Sequence, residues 1–140
     1  MKNAETEFMR MGGFHASEEC PLDERVWQGL EYLESVAGPG AVAEMVDHFG
    51  VDMPDRIQRM RSLLQSGDLE QLSRLAHDLK SNSATLGIPA ISALGASIEQ
   101  SVEGGSVEDV TFLLDEIERL FPLTFLALER RRSSFTSRGL

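Results

Sequence analysis

The most constraining feature of this sequence is a helical spacing of apolar residues that continues, with short interruptions, from Leu22 to Arg132. It is clearest between Ala41 and Gln65, where the apolar positions are Val42, Met45, Val46, Phe49, Met53, Ile57, Met60 and Leu64. A period of about 3.6 residues places such side chains along one face of an α-helix. No segment alternates apolar and polar residues with the period that is typical of β-strands. The sequence therefore predicts an all-α fold.

Glycine and proline residues divide this region into predicted helices. Their expected ranges are 23–37, 41–65, 69–86, 89–102 and 107–131. Pro54 and Pro122 should bend the second and the last of these helices rather than end them. Short connections between long amphipathic helices favour antiparallel neighbours. We therefore predict an antiparallel four-helix bundle with a short extra N-terminal helix across one end, where Trp27 and Tyr32 would cover the core.

The expected domain organisation is one helical bundle with a flexible segment at each end. The bundle would span residues 21–132, the leader residues 1–20 and the tail residues 133–140. Both outer segments are polar and contain turn-forming residues, which is typical of chain ends that are not packed against a core. A chain of 140 residues suits a single domain of this kind, which can bury enough surface to fold without a metal or a disulfide.

Composition and charge exclude several classes of function. The chain has 23 acidic and 13 basic residues and a formal charge of −10, which disfavours nucleic acids and anionic membranes as partners. Cys20 is the only cysteine, so neither an internal disulfide nor a cysteine metal site is expected. There is no apolar run long enough for a membrane span, no secretory signal and no glycine-rich phosphate loop. These observations favour a cytoplasmic protein without a cofactor of its own.

His77 lies outside the apolar stripe of the third predicted helix. Counting about 100° per residue, it falls about 140° from Leu72, which belongs to that stripe. The residues on the same side are Ser73, Lys80, Ser81 and Ala84. A solvated imidazole is mostly neutral near pH 7 and can attack an activated phosphorus atom, while a lysine one turn away can offset the charge of the phosphoryl oxygens. Taken alone, the same pattern also fits an ordinary surface histidine.

The segment AHDLKSNSATLG, from Ala76 to Gly87, resembles the signature of histidine-containing phosphotransfer (HPt) domains, which commonly read A-H-x-L-K-G-x-x-x-x-[LIV]-G. The likeness extends from Leu22 to Arg132, and Glu99 lies where many members carry a Leu-Glu pair. The resemblance implies that His77 Nε2 is the phosphoacceptor, that Lys80 is the cation beside the phosphate and that Gly87 is structural. It also implies that the partners are receiver domains of hybrid sensor kinases and response regulators, which bring the Mg²⁺.

One position departs from the family pattern, because Ser81 stands where the family usually has glycine. Its hydroxyl could hydrogen-bond the imidazole or the phosphate, or it could crowd the active-site loop of a partner. Since the net charge is negative, we expect partners to be held by an apolar patch beside His77 rather than by long-range attraction. The candidates for this patch are Ala84, Ile88, Ile57 and Arg61, although Ile57 could equally belong to the core and Arg61 to the solvated surface.

Three other functions stay open at the level of sequence. The same bundle could be the phosphoacceptor module of a chemotaxis-type kinase, which an ATP-binding domain phosphorylates. It could also be an adaptor that binds a receiver or a sensor kinase without being phosphorylated, an option that Ser81 keeps open. Phosphatase activity on a partner aspartate lacks a suitably placed pair of acid and amide side chains. Asp78, next to the histidine, is expected to be a solvated carboxylate. His48 on the second helix is also expected to be solvated.

Overall fold

The computed structural model describes residues 22–138, and the regular structure of this part of the chain is entirely helical. The helices are α1 (Glu24–Ala37), α2 (Ala41–Ser66), α3 (Leu69–Thr85), α4 (Pro89–Glu103) and α5 (Val110–Arg138). Each of the helices from α2 to α5 packs against the next, and α5 packs back against α2. Because the connections between them are short, neighbouring helices run antiparallel. The prediction of an antiparallel four-helix bundle with a short additional helix is confirmed.

The ends of the helices follow from local sequence. The Asp68 side chain caps α3 by accepting a hydrogen bond from the Gln71 backbone N–H at 3.2 Å, and Gly67 ends α2 with a φ of 81°. Such a positive φ costs glycine little and a residue with a side chain more. Helix α2 continues through Pro54 without interruption, so the predicted helix is not broken at that position. The predicted boundaries of α1 to α4 agree with the structure to within a residue.

The short helix α1 is fixed to the turn that joins α3 and α4. The Asp23 backbone N–H donates to the Gly87 carbonyl at 2.7 Å, and the Trp27 indole N–H donates to the Leu86 carbonyl at 2.8 Å. Trp27 is fully buried, as predicted. The expectation for Tyr32 was wrong, since this side chain is largely exposed. It lies five residues after Trp27, which on a helix is about 140° away and therefore outside the buried face.

Helix α5 is longer at its C-terminal end than the sequence analysis predicted. It begins at Val110, not Val107, and continues to Arg138, so that most of the predicted tail over 133–140 is helical. The reason is Phe135, which is buried and packs against Trp27 with ring centroids 5.8 Å apart. Arg131 adds an ion pair with Glu24 and lies 5.7 Å from the Trp27 ring. The predicted leader, residues 1–20, lies outside the described residues.

The core is one continuous cluster that draws side chains from every helix. From α3 it includes Leu72, Leu75, Ala76 and Leu79, which is the stripe that the helical wheel indicated. Ser83 is also fully buried on this stripe, and its hydroxyl has no hydrogen-bond partner in the described part of the chain. Burial of this face leaves the opposite face of α3, with His77, turned to solvent.

Candidate functional site

His77 is exposed near the middle of α3, where 55% of its side chain is accessible to solvent. Its neighbours Leu75, Ala76 and Leu79 are buried, so the packing of this stripe sets the rotation of the helix and presents the imidazole outward. The predicted exposure of the ring therefore agrees with the structure.

Glu99 of α4 connects His77 to Lys80. Its Oε2 atom lies 3.0 Å from His77 Nδ1, and its Oε1 atom accepts a hydrogen bond from Lys80 Nζ at 2.9 Å. The glutamate side chain is only 17% exposed, compared with 36% for Lys80. A single carboxylate thus contacts both residues that the sequence analysis selected, and it does so from a different helix.

The charge of Glu99 determines which imidazole nitrogen is available for chemistry. The hydrogen bond from Lys80 lowers the pKa of the Glu99 carboxyl, and the contact with His77 adds to this effect, while partial burial opposes it. An ionised carboxylate can only accept hydrogen bonds. The 3.0 Å contact therefore requires the proton of a neutral imidazole to be on Nδ1. The lone pair of Nε2 then faces away from Glu99 and is free to act as a nucleophile.

Gly95 allows α4 to approach α3 closely enough for this contact. A methyl group at this position would lie 3.1 Å from the Ala76 carbonyl oxygen and 3.1 Å from the Lys80 backbone nitrogen. One turn earlier, the Ser92 hydroxyl donates to the Lys80 carbonyl at 3.0 Å. Glu99 follows Gly95 by one helical turn and so lies on the same face of α4. The missing side chain at Gly95 is therefore part of what brings Glu99 within reach of His77.

The other predicted site residues lie around the imidazole on α3. Ser81 and Ala84 are exposed and Ser73 is half-buried. The Ser81 carbonyl accepts a hydrogen bond from the Thr85 hydroxyl at 2.9 Å, whereas the Ser81 hydroxyl makes no hydrogen bond within residues 22–138. Small side chains therefore flank the ring, as the sequence indicated.

An apolar groove adjoins Lys80 between α1, α3 and α4. It has a volume of about 410 Å³ and is lined mainly by small and apolar residues, among them Val26, Ala84, Ala93 and Ala96. Ile88 forms part of its floor, but 0% of its surface is accessible, so the idea that it presents an exposed docking surface was wrong. Its side chain belongs to the core, and its backbone N–H donates to the Ser83 carbonyl at 2.9 Å. Ala84 keeps an exposed position at the edge of the groove.

The two candidates from α2 do not lie in this groove. Ile57 is buried in the core, in agreement with the alternative considered for it. Arg61 bonds to Asp115 and Glu118 of α5, at 2.9 and 3.1 Å, across the boundary between α2 and α5. His77 instead contacts α4, so Arg61 is engaged on another side of the bundle and was wrongly considered for the patch.

Gly87 adopts a left-handed conformation at the turn after α3, with a φ of 66°. A methyl group there would lie 3.0 Å from Val26 Cβ, 3.1 Å from Trp27 Cδ1 and 3.2 Å from the Asp23 carbonyl oxygen. Both the backbone angle and the close contact with α1 favour glycine. The residue therefore fixes the end of the helix that carries His77.

The remaining marked residues form no second site. Asp78 is exposed and lies 3.9 Å from Arg56, which bonds to Asp52 of its own helix at 2.5 Å. His48 is exposed on α2. Within residues 22–138 no group of three His, Cys, Asp or Glu side chains could hold a metal ion. Nor is any described helix both long and apolar enough to cross a bilayer.

Comparison with known families identifies this arrangement. The family model of the Hpt domain matches residues 44–122, which is more than half of the chain and contains His77, Lys80 and Glu99. The chain belongs to the Hpt domain family. Its class of function is therefore histidine phosphotransfer, and proteins of this family act with receiver domains in phosphorelays.

The Hpt assignment agrees with a likeness among solved structures. Histidine-containing phosphotransfer protein B from Pseudomonas aeruginosa PAO1 matches with a TM-score of 0.73 and 23% sequence identity, over 84% of this chain and 98% of that one. At this level of identity the likeness concerns the fold. No curated protein sequence matches the chain significantly.

Sequence reasoning did not assign a role to two residues of this Hpt site. Glu99 was noted only for its place in the family pattern, and Gly95 was not considered. The spacing of the two residues by one turn of α4 was a usable signal, because a glycine inside an amphipathic helix often marks close helix packing. It would still not have shown that the carboxylate contacts both His77 and Lys80.

Proposed function

We propose that this Hpt protein carries a phosphoryl group on His77 Nε2 between the aspartates of two receiver domains. The observation on which the proposal depends is the 3.0 Å contact between His77 Nδ1 and Glu99 on an exposed ring. For the neutral imidazole, this contact assigns the proton to Nδ1 and leaves the lone pair on Nε2. A neutral imidazole with its proton on Nδ1 can attack phosphorus without first losing a proton. This arrangement supports a phosphoacceptor better than it supports an adaptor that is never phosphorylated.

In the forward step, a bond forms between His77 Nε2 and the phosphorus atom, and the bond from phosphorus to the receiver aspartate breaks. The aspartate leaves as a carboxylate, and the imidazole acquires a positive charge. The ionised Glu99 carboxylate lies next to that charge and stabilises it. Transfer to the second receiver reverses these changes, so the Nδ1 proton stays in place throughout.

Lys80 would neutralise the charge of the phosphoryl oxygens. Its ammonium lies one helical turn from His77 and is partly exposed while it is bonded to Glu99. A phosphoryl group carries more negative charge than a carboxylate, so the ammonium can interact with both or move to the phosphoryl group. The Mg²⁺ needed for chemistry at the aspartyl phosphate would be bound by the receiver, where it would offset the charge of the phosphoryl oxygens.

The apolar groove beside Lys80 supports the proposal that receivers dock on the α1, α3 and α4 side of the bundle. Small side chains such as Ala84 and Ala93 leave room for a partner's side chain in a volume of about 410 Å³. Apolar contact at the centre with polar contacts at the rim is the usual composition of such an interface. Docking through apolar contacts also does not depend on long-range attraction, which a chain with a formal charge of −10 could not exert on an acidic receiver.

The decisive experiment is phosphotransfer from a receiver that has been charged with a small-molecule phosphodonor. We expect label on this chain that is lost in acid and retained in base, as for phosphohistidine. His77→Gln should abolish the label and leave the helical circular dichroism unchanged. His48→Gln is the matched control, because His48 is also exposed on a helix but makes no hydrogen bond or ion pair within residues 22–138; this variant should be labelled normally.

Different outcomes separate the alternatives. Label that persists in His77→Gln would place the acceptor elsewhere. Stable binding to a receiver without any label would favour the adaptor. Label that requires an ATP-binding kinase domain and never forms with a receiver would favour the chemotaxis-type module. Lys80→Ala should slow transfer by about tenfold or more, and an unchanged rate would remove the ammonium from the mechanism.

A further inference from the structure

Ser81 presents an uncommitted hydroxyl group one helical turn after His77. The residue is exposed, and within residues 22–138 its hydroxyl neither donates nor accepts a hydrogen bond. Residues four apart on an α-helix are neighbours on one face. The Ser81 side chain therefore lies beside His77 on the exposed face of α3.

The other polar groups near the ring are less suited to contact a group on Nε2. Glu99 occupies the Nδ1 side of the imidazole and cannot donate a hydrogen bond. Lys80 is already bonded to the same carboxylate at 2.9 Å. Ser73 lies one turn before His77, but it is half-buried, whereas Ser81 is exposed. Ser81 is thus the exposed serine of α3 next to His77.

We propose that the Ser81 hydroxyl donates a hydrogen bond to the phosphoryl group on His77 and so lengthens the lifetime of the phosphohistidine. This inference rests on the proposed function of His77. It assigns to this chain a donor that a glycine at the same position could not supply.

The expected effect on lifetime follows from the charge of the phosphoryl oxygens. In the phosphohistidine these oxygens carry nearly two negative charges, whereas in the loose transition state of phosphoryl transfer the group resembles metaphosphate and carries less. A hydrogen-bond donor to the oxygens therefore stabilises the phosphorylated protein more than the transition state for its hydrolysis. The same donor shifts the transfer equilibrium from a receiver toward this chain.

The test compares four residues at position 81. The wild-type protein, Ser81→Thr, Ser81→Ala and Ser81→Gly are phosphorylated with phosphoramidate or with a receiver charged by acetyl phosphate, and the decay of the phosphohistidine is followed after the donor is removed. We expect similar half-lives for the wild type and Ser81→Thr. In Ser81→Ala and Ser81→Gly the half-life should be about fivefold shorter, which is the effect of one modest hydrogen bond.

Ser81→Ala distinguishes a chemical role of the hydroxyl from a structural one. Alanine has a higher helix propensity than serine, so this variant should be at least as stable as the wild type. A shorter half-life in a more stable protein would support the hydrogen bond. Equal half-lives in the wild type and Ser81→Ala would overturn the inference, as would a change that appears only in Ser81→Gly, since that result would indicate an effect of helix stability or of side-chain size.

The inference and the proposed function fail in different ways. If the wild-type protein acquires no label on His77 from either donor, the proposed function fails and the inference fails with it. If label forms and decays at the same rate in all four proteins, the inference alone is wrong. The equilibrium constant for transfer from the receiver provides a second measurement, which should change in the same direction as the half-life and by at least as large a factor.

Discussion

At position 99, one carboxylate is shared by an imidazole and an ammonium group, so its ionisation affects both the site and the stability of the fold. The hydrogen bond from Lys80 lowers the pKa of Glu99 in the folded protein relative to the ordinary value of 4.5. A lowered pKa in the folded state means that ionisation favours folding. This contribution to stability is present above pH 4.5, and it is lost as the pH falls through the lower pKa that Glu99 has in the folded protein.

We therefore predict a pH-dependent cost for Glu99→Gln. At pH 7 the substitution should reduce the free energy of unfolding by about 1 kcal/mol, as expected for a partly exposed ion pair. At a pH well below 4.5 the difference from the wild type should shrink toward zero, because the wild-type carboxyl is then protonated. Urea denaturation of both proteins at the two pH values measures this difference in the free energy of unfolding. Glu103→Gln, an exposed glutamate on the same helix, is the control, and a cost for Glu99→Gln that is independent of pH would contradict the prediction.

Ser83 is a second residue whose burial affects the free energy of unfolding. Its hydroxyl is fully buried and has no hydrogen-bond partner among the described residues, and burial of an unpaired hydroxyl is unfavourable. Ser83→Ala should therefore leave stability unchanged or raise the free energy of unfolding by up to about 1 kcal/mol. Ser92→Ala should have the opposite effect, since it removes the hydrogen bond to the Lys80 carbonyl. Thermal or urea denaturation of both variants would show whether their effects differ in sign.

At the scale of helices, the close approach of α3 and α4 depends on Gly95. A methyl group at this position would meet backbone atoms of α3 at 3.1 Å, and backbone atoms cannot rotate away as a flexible side chain can. Gly95→Ala should therefore separate the two helices slightly. Because Glu99 is carried on α4, its contact with His77 would lengthen.

We predict that Gly95→Ala lowers the free energy of unfolding by about 1–3 kcal/mol and slows phosphotransfer to His77. Gly29→Ala is the matched control. Gly29 is also inside a helix, but a methyl group there would meet nothing within 4 Å, so alanine should stabilise the protein by about 0.5–1 kcal/mol through its better helix propensity. Equal effects of the two substitutions would show that helix propensity dominates and that the close approach is unimportant.

The helices could be predicted from sequence because their causes are local. Apolar spacing and capping residues such as Asp68 and Gly67 determine where a helix lies and which face is buried. The contact of Glu99 with His77 could not be predicted, because it depends on the rotation and separation of two helices, which are set by packing across the whole core. Sequence patterns also missed the last turns of α5, since Phe135 stands alone among polar residues and its partner, Trp27, is far away in the chain.

At the scale of the whole molecule, α1 belongs to the same cooperative unit as the four-helix bundle. Trp27 is the only tryptophan, and it joins three parts of the fold through its hydrogen bond to Leu86, its contact with Phe135 and its own helix. Since these contacts are part of one core, α1 should not unfold separately. We predict that urea transitions followed by tryptophan fluorescence and by far-ultraviolet circular dichroism coincide. A fluorescence change at clearly lower urea concentration would show that α1 detaches first.

If His77 carries the phosphoryl group as proposed, the proton on His77 Nδ1 stays in place, and the charge of the molecule changes less than the added group alone would change it. The phosphoryl group brings about two negative charges at neutral pH, while the imidazole becomes positive when Nε2 forms its bond. The loaded protein is then only about one unit more negative than the empty one, on a background of −10. Under the proposed function, the phosphorylated and unphosphorylated forms would therefore differ little in their long-range electrostatic field, and a receiver would distinguish them by direct contact at His77.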